Sequence, residues 1–182
     1  GAHVSFGSLP GMLERTITVN GLSKAFALTG WRIGYIGAPL WIAQACTKIQ
    51  GQFTSGANSI AQRVTKACME ADPALLAPMR ADFQRRRDLT IDAMKAVAGW
   101  RCNVPQGAFY LLPDVSASFN GTTIKGAVDL SMHLLDAVGV SLVEGASFGA
   151  PGTLRISYAT SDAKLTEAMA RVARAVGELV EA

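Results

Sequence analysis

One long helical run joins the two ends of this sequence. Asp72-Pro73 is a helix N-cap followed by proline at the first helical position, and Leu76, Met79, Phe83, Thr90, Met94 and Val97 then keep helical spacing up to Gly99. Read as one helix, kinked or restarted at Pro78, it has about 25 residues at about 1.5 Å each, long enough to leave one domain and enter another. A chain built around such a helix folds as two parts, and the expected division is residues 1–83 and 84–182.

The flanking segments define the fold class. Thr16 to Val19 alternates as a strand that Asn20-Gly21 should stop, and Ile33 to Ile36 is a second strand closed by Gly37 and Pro39. Leu40 to Gln50 reads as a helix. A loop from Phe53 to Asn58 then leads to a helix capped by Asn58 or Ser59 and running to about Ala71. Beyond the long helix come a strand around Ala108 to Leu112, a helix from Ala127 to Val138 ended by Gly139, and strands at Val140 to Val143 and Thr153 to Tyr158. The last helix starts at Ser161 or Asp162, and Leu165, Met169, Val172, Val176 and Leu179 give it one apolar stripe. The class is α/β, with a small α+β domain in the second half.

Composition narrows the function. With 49% hydrophobic and 17% charged residues, against about 25% charged in an ordinary globular domain, disorder is excluded and some apolar surface should meet a partner. A net charge of +3 with Arg85, Arg86 and Arg87 as its single basic run, read as a solvated helix face, leaves no nucleic-acid footprint. The longest uncharged stretch, Ile33 to Thr47, is interrupted by Gly34, Gly37 and Pro39 and falls short of the roughly 20 apolar residues of a membrane span. Cys46, Cys68 and Cys102 have no metal or redox spacing and read as reduced, mostly buried thiols of a cytoplasmic protein. His3 and His133 are too few and too far apart for a metal site or a hydrolase triad, and Asp129 and Asp136 read as solvated acids on one helix face. The chain opens on Gly1-Ala2-His3 without an initiator methionine, as a piece of a longer protein would.

Open α/β sheets bind ligands beyond the carboxyl ends of their strands, which directs attention to Asn20-Gly21-Leu22-Ser23-Lys24. By position alone Lys24 could be a solvated loop charge. Eight residues on, however, Arg32 stands in Thr29-Gly30-Trp31-Arg32-Ile33-Gly34, where glycines admit a ligand and a guanidinium can grip a phosphate with two bonds. An amine and a guanidinium at one glycine-lined strand end suit a phosphorylated aldehyde.

The string Ser23-Lys24-Ala25-Phe26-Ala27-Leu28-Thr29-Gly30-Trp31-Arg32-Ile33-Gly34-Tyr35 resembles the cofactor-lysine motif of the aspartate aminotransferase family, fold-type I enzymes that use pyridoxal 5'-phosphate. Pro105 to Tyr110, Gly145 to Gly149 and Leu154 to Ala159 agree with that family in order. The resemblance runs from about Leu9 to Val180 and implies the later portion of the fold: the end of the large domain, the connecting helix and the small domain. It makes Lys24 the lysine that binds the cofactor covalently and shuttles the substrate proton, its amine favoured in neutral form by burial beside Arg32. Arg32 becomes a phosphate ligand. Family members often have serine or threonine at Gly21, so the contact of that hydroxyl passes to a backbone N–H there or to Ser23. Arg155 matches the arginine that binds the substrate α-carboxylate; it should point away from the face of Leu154 and Ile156. Glu144 stands where the family often has proline. Phe148 either lines the substrate pocket or is a buried packing residue, and Asn58 and Ser59 either meet the phosphate from the partner subunit or cap a helix. The implied reaction moves an amino group between an amino acid and a 2-oxo acid, in a cytoplasmic homodimer.

In the family, the acid that protonates the pyridine nitrogen and the residues around the ring precede the lysine by tens of residues. The N-terminal half of the same protein is therefore an expected partner, and this chain alone is expected to be inactive. A second reading is the aminotransferase-like effector domain of a transcription regulator, which would carry the same lysine without turnover.

Overall fold

The computed structural model describes residues 3–181. The chain forms two compact units that meet between Ala77 and Pro78.

The first unit is a hairpin followed by helices. Strands β1 (Thr18–Gly21) and β2 (Gly34–Gly37) pair antiparallel, Thr18 opposite Gly37 and Gly21 opposite Gly34. The strand begins later than expected because Thr16 turns back, its hydroxyl donating to the Met12 carbonyl at 2.6 Å. Asn20-Gly21 lies inside β1 rather than ending it: Gly21 is fully extended, with φ −163° and ψ 163°. Helices α1 (Leu22–Ala25), α2 (Leu40–Thr54) and α3 (Ser59–Glu70) follow. Asn58 caps α3, its Oδ1 accepting from the amides of Ile60 at 2.9 Å and Ala61 at 3.0 Å. Leu22, Pro39 and Ala61 are the buried apolar residues here among those described, while Val19, Leu40, Trp41 and Phe53 are 70–83% exposed.

The second unit has a true core. At the end of the first unit Asp72 caps a 3₁₀ turn, Pro73–Leu76, and the α-helix α4 (Ala77–Met94) starts at Ala77, one residue before the expected restart at Pro78. It ends before Gly99 because the amides of Lys95, Ala96 and Val97 bond to carbonyls three residues back and tighten the last turn. Strands β3 (Tyr110–Leu111), β4 (Val143–Glu144) and β5 (Leu154–Ser157) form an antiparallel sheet in the order β3-β5-β4. Two strands are shorter than their apolar runs. Ala108 has φ +63°, outside any strand, and the Val140 amide is held by the Leu134 carbonyl at a helix end. That helix, α5 (Ala127–Val138), closes on Gly139 at φ +66°, and α6 (Asp162–Glu181) follows β5. Leu130 and Leu134 of α5, Leu154 and Ile156 of β5, and Val172 and Val176 of α6 meet in one core.

The arginine run does not form one solvated face, because consecutive helical residues point about 100° apart. Arg85 is exposed and pairs with Asp162 and Asp82; Arg86 and Arg87 are half-buried, facing Asp162 and Asp88 respectively. The Arg87 Nη1 also donates to the Pro105 carbonyl at 3.0 Å. Asp129 is likewise not simply solvated, since its Oδ2 accepts the Lys125 amide at 2.9 Å at the start of α5. Cys46 is exposed, and Cys68 and Cys102 are half-buried rather than buried. No described helix is long and apolar enough to cross a membrane.

Leu154→Ala should destabilise the chain by about 2–5 kcal/mol, since its side chain is wholly enclosed, whereas Phe53→Ser should change stability by less than about 0.5 kcal/mol. Urea unfolding followed by the fluorescence of buried Trp100 checks both. Equal losses would mean that Phe53 is packed in the folded chain.

Candidate active site

Pairing of Gly21 with Gly34 closes the segment Leu22 to Ile33 into one loop. The two feet differ in how tightly they pack: only the one at Gly34 is too close for an ordinary Cβ contact. A Cβ on Gly34 would stand 3.2 Å from the Asn20 carbonyl, and one on Gly21 would stand 3.4 Å from that of Ile33. Leu22, fully buried, anchors the loop, and its carbonyl accepts the amides of Phe26 and Leu28. Ser23 and Lys24 therefore ride on the single turn of α1 directly after β1, and Arg32 stands at the opposite foot before β2.

Arg32 adopts a left-handed backbone, φ +49° and ψ 49°. Such a conformation costs a non-glycine residue about 1–2 kcal/mol and fixes where its side chain departs. One of its N–H groups donates to the Thr29 carbonyl at 3.2 Å. Three expectations meet this geometry differently. Ser23, Lys24 and Arg32 do share one loop. Lys24 is exposed in this chain, not buried beside Arg32, because Leu22 is the loop's one fully enclosed side chain. The Gly21 amide is taken by the Asn20 Oδ1 at 2.8 Å, so that N–H is already engaged within the chain.

In the second unit, alternation along β5 sends Leu154 and Ile156 into the core and leaves Arg155 on the other face, as expected. Val143 of β4 lies opposite Arg155, and Tyr110 of β3 lies opposite Ser157 and hence diagonal to it. The Arg155 guanidinium carbon sits 4.5 Å from the Tyr110 ring centroid and 4.3 Å from that of Phe148. Phe148 is 50% exposed, so it is not a buried packing residue; it projects over Arg155 from a loop. Tyr110 ends the motif Pro105 to Tyr110, which gives it no role of its own. The pairing of its strand with that of Arg155, which joins residues far apart in sequence, is what brings it in.

The loop Gly145 to Gly149 is knotted at Gly145, whose amide donates to Thr153 and whose carbonyl accepts from Phe148 and Ala150. A Cβ there would lie 2.6 Å from the Ala150 carbonyl oxygen, which makes glycine obligatory. Glu144 replaces the restraint that a proline would give: its carboxylate accepts the Ser147 amide and hydroxyl. The Ser147 hydroxyl, aided by the Ser147 and Ala146 amides and opposed by burial, holds the Glu144 carboxyl below its ordinary value. Behind Tyr110, rings of Phe109, Phe83 and Tyr158 follow at 4.3, 6.1 and 6.4 Å between successive centroids. The Tyr158 hydroxyl, pushed up in pKa by burial, remains a donor and holds the Ala108 carbonyl at 3.0 Å. Among the described residues no cluster of three His, Cys, Asp or Glu could hold a metal.

The first unit thus carries a left-handed arginine and a lysine on one glycine-closed loop, and the second carries an arginine over which two rings lie. The family model for class I and II aminotransferases matches residues 4–172, and the chain belongs to that family. It is 45% identical to the bifunctional aspartate aminotransferase and glutamate/aspartate-prephenate aminotransferase of Petunia hybrida, over 96% of this chain and 38% of that protein. The crystal structure of the aspartate aminotransferase from Rhizobium meliloti superposes with a TM-score of 0.87 at 41% identity, over 93% of this chain and 44% of that one. The aspartate aminotransferase from Thermus thermophilus with maleate gives 0.85 at 39% identity, over 96% and 44%. The α/β fold is that of these enzymes over part of their length, and the chain spans less than half of each.

The Glu144 carboxyl has a lowered pKa in the folded loop, so its contribution to loop stability is complete above the ordinary value of 4.5 and disappears as pH falls through the lower, folded one. The Ser147 amide resonance should therefore stay constant from neutral pH down to that ordinary value and move only below it. Glu144→Gln should shift it already at neutral pH. A resonance that moves with a midpoint at or above 4.5 would show that the carboxylate does not hold the loop.

Proposed function

We propose that this chain supplies the lysine, the phosphate-binding cation and the carboxylate-binding arginine of a pyridoxal 5'-phosphate-dependent aminotransferase, which moves an amino group between an amino acid and a 2-oxo acid. The observation that carries this reading is the single glycine-closed loop with Lys24 beyond the end of β1 and Arg32 before β2. The donor set fits the cofactor: one amine for its aldehyde, and the Arg32 guanidinium and Ser23 hydroxyl for its phosphate. When bound, pyridoxal phosphate supplies an electron sink that lets the substrate Cα give up its proton. Lys24 Nζ holds the cofactor between turnovers and, once released, takes the Cα proton and returns it to the product side. Arg32 fixes the phosphate end, so that Nζ meets the aldehyde at one position only. Arg155, on its strand, binds the α-carboxylate edge-on, a contact indifferent to the substrate side chain. The Thermus thermophilus relative, whose structure carries the dicarboxylate maleate, supports a carboxylate ligand for the family.

The apolar faces of the first unit are covered, on this reading, by the rest of a longer polypeptide, which also gives Lys24 Nζ its dry surroundings. Support comes from the 38–44% share of the relatives that this chain spans and from the exposure of Val19, Leu40, Trp41 and Phe53. A cytoplasmic homodimer completes the proposal, and three free thiols agree with a reducing compartment. No observation favours the regulator reading.

The test is transamination by the whole polypeptide with aspartate, alanine or an aromatic amino acid against 2-oxoglutarate. Lys24→Ala should abolish turnover and leave the fold intact; near-normal turnover would remove Lys24 from the chemistry. Arg155→Ala should lower kcat/KM by about 2–5 kcal/mol for every amino acid donor alike. A loss limited to one class of side chain would assign Arg155 to specificity instead.

A further inference from the structure

Three arginines among the described residues are half-buried, and two of them face carboxylates: Arg86 faces Asp162 and Arg87 faces Asp88. Arg155 differs. Its contacts among the described residues are the faces of Tyr110 and Phe148, with no hydrogen bond or ion pair to its N–H donors. A half-buried cation without a counter-charge is unfavourable unless something else stabilises it, and two ring quadrupoles within 6 Å do so without occupying a single donor. An acidic partner would fix the side chain equally well but would compete with any incoming anion.

The two rings are held in different ways. Tyr110 belongs to β3 and is backed by Phe109, Phe83 and Tyr158, which makes it a fixed plate. Phe148 stands half-exposed on the loop knotted at Gly145 and tied by Glu144, a plate positioned by backbone bonds and not by the core.

We propose that Tyr110 and Phe148 are positioning residues that clamp the Arg155 guanidinium by its faces and keep its N–H edge open and poorly hydrated for a planar carboxylate. The proposal rests on the carboxylate-binding reading of Arg155 and adds to it the reason that the arginine is ready before a ligand arrives. The ring faces, not the Tyr110 hydroxyl, do the positioning.

Nuclear magnetic resonance on the 182-residue chain tests this, with the Arg155 Nε–H resonance as the probe and pyruvate, the smallest 2-oxo acid carrying the required carboxylate, as the ligand. Pyruvate should shift that resonance saturably, and Arg155→Ala should remove pyruvate binding. Phe148→Leu and Tyr110→Leu should each weaken it about 3- to 30-fold and increase the motion of the Nε–H bond, while Tyr110→Phe, which keeps the ring, restores both. If the wild-type chain shows no pyruvate effect on Arg155, or if Arg155→Ala binds as well as wild type, the carboxylate reading and the clamp both fall. If Arg155→Ala abolishes binding but the two leucine variants stay within about twofold of wild type, the carboxylate reading stands and the clamp is wrong. An Nε–H bond equally mobile in wild type and in Phe148→Leu overturns the clamp whatever the affinities.

Discussion

Strand β5 places a buried pair and a cation one residue apart, and the second unit is organised by that alternation. Leu154 and Ile156 enter a core shared with α5 and α6, so the strand cannot slip by one residue without exposing both and burying Arg155 in their place. Because β5 is the central strand, its position is fixed from both sides, by β3 and β4. The position of the guanidinium follows from hydrophobic burial on the opposite face of the same strand. A carboxylate contact at Arg155, as proposed, would in this way be tied to the packed core of the second unit.

The first unit works under a weaker constraint. Its hairpin is closed by backbone pairing at Gly21 and Gly34 and pinned by Leu22, but few apolar side chains are buried behind it. A two-stranded hairpin alone is marginal in water, and long apolar side chains such as Trp41 and Phe53 gain little while exposed. The left-handed backbone at Arg32 adds local cost, which a firmly packed loop tolerates better than a loose one. The chemistry expected of Lys24 needs placement within a fraction of an ångström, so its precision must come from protein packed against these faces.

What the sequence made legible divides along the same line. Helix α5 and the stripe of α6 could be read because their signals are local: a glycine stop at Gly139, and apolar residues at intervals of three and four. Asn58 and Asp72 were recognisable as caps for the same reason. The strands were less legible, since their ends are set by the left-handed Ala108 and by the capping bond from Val140 to Leu134, neither of which hydrophobicity reports. Lys24 and Arg32 stood out at a glycine-lined strand end and, like Arg155, drew their expected roles from resemblance to a family motif, while the exposure of Lys24 depends on packing that no local pattern encodes. Tyr110 and Phe148 reach Arg155 only through sheet pairing and a glycine knot, long-range features that no reading of neighbouring residues supplies.

These two regimes carry a consequence for how the proposed activity is distributed. The carboxylate contact needs one side chain, two rings and a sheet, all inside a unit whose core is complete within the described residues. The lysine chemistry needs a dry amine, a fixed phosphate and an acid on the cofactor ring, and the loop here offers an exposed amine with one arginine and one hydroxyl beside it in sequence. Desolvation strengthens every electrostatic contact in such a site, and an exposed loop has not yet acquired it. On the proposed reading, anion recognition at Arg155 would follow from packing already present, and proton transfer at Lys24 would require burial of its loop by additional protein.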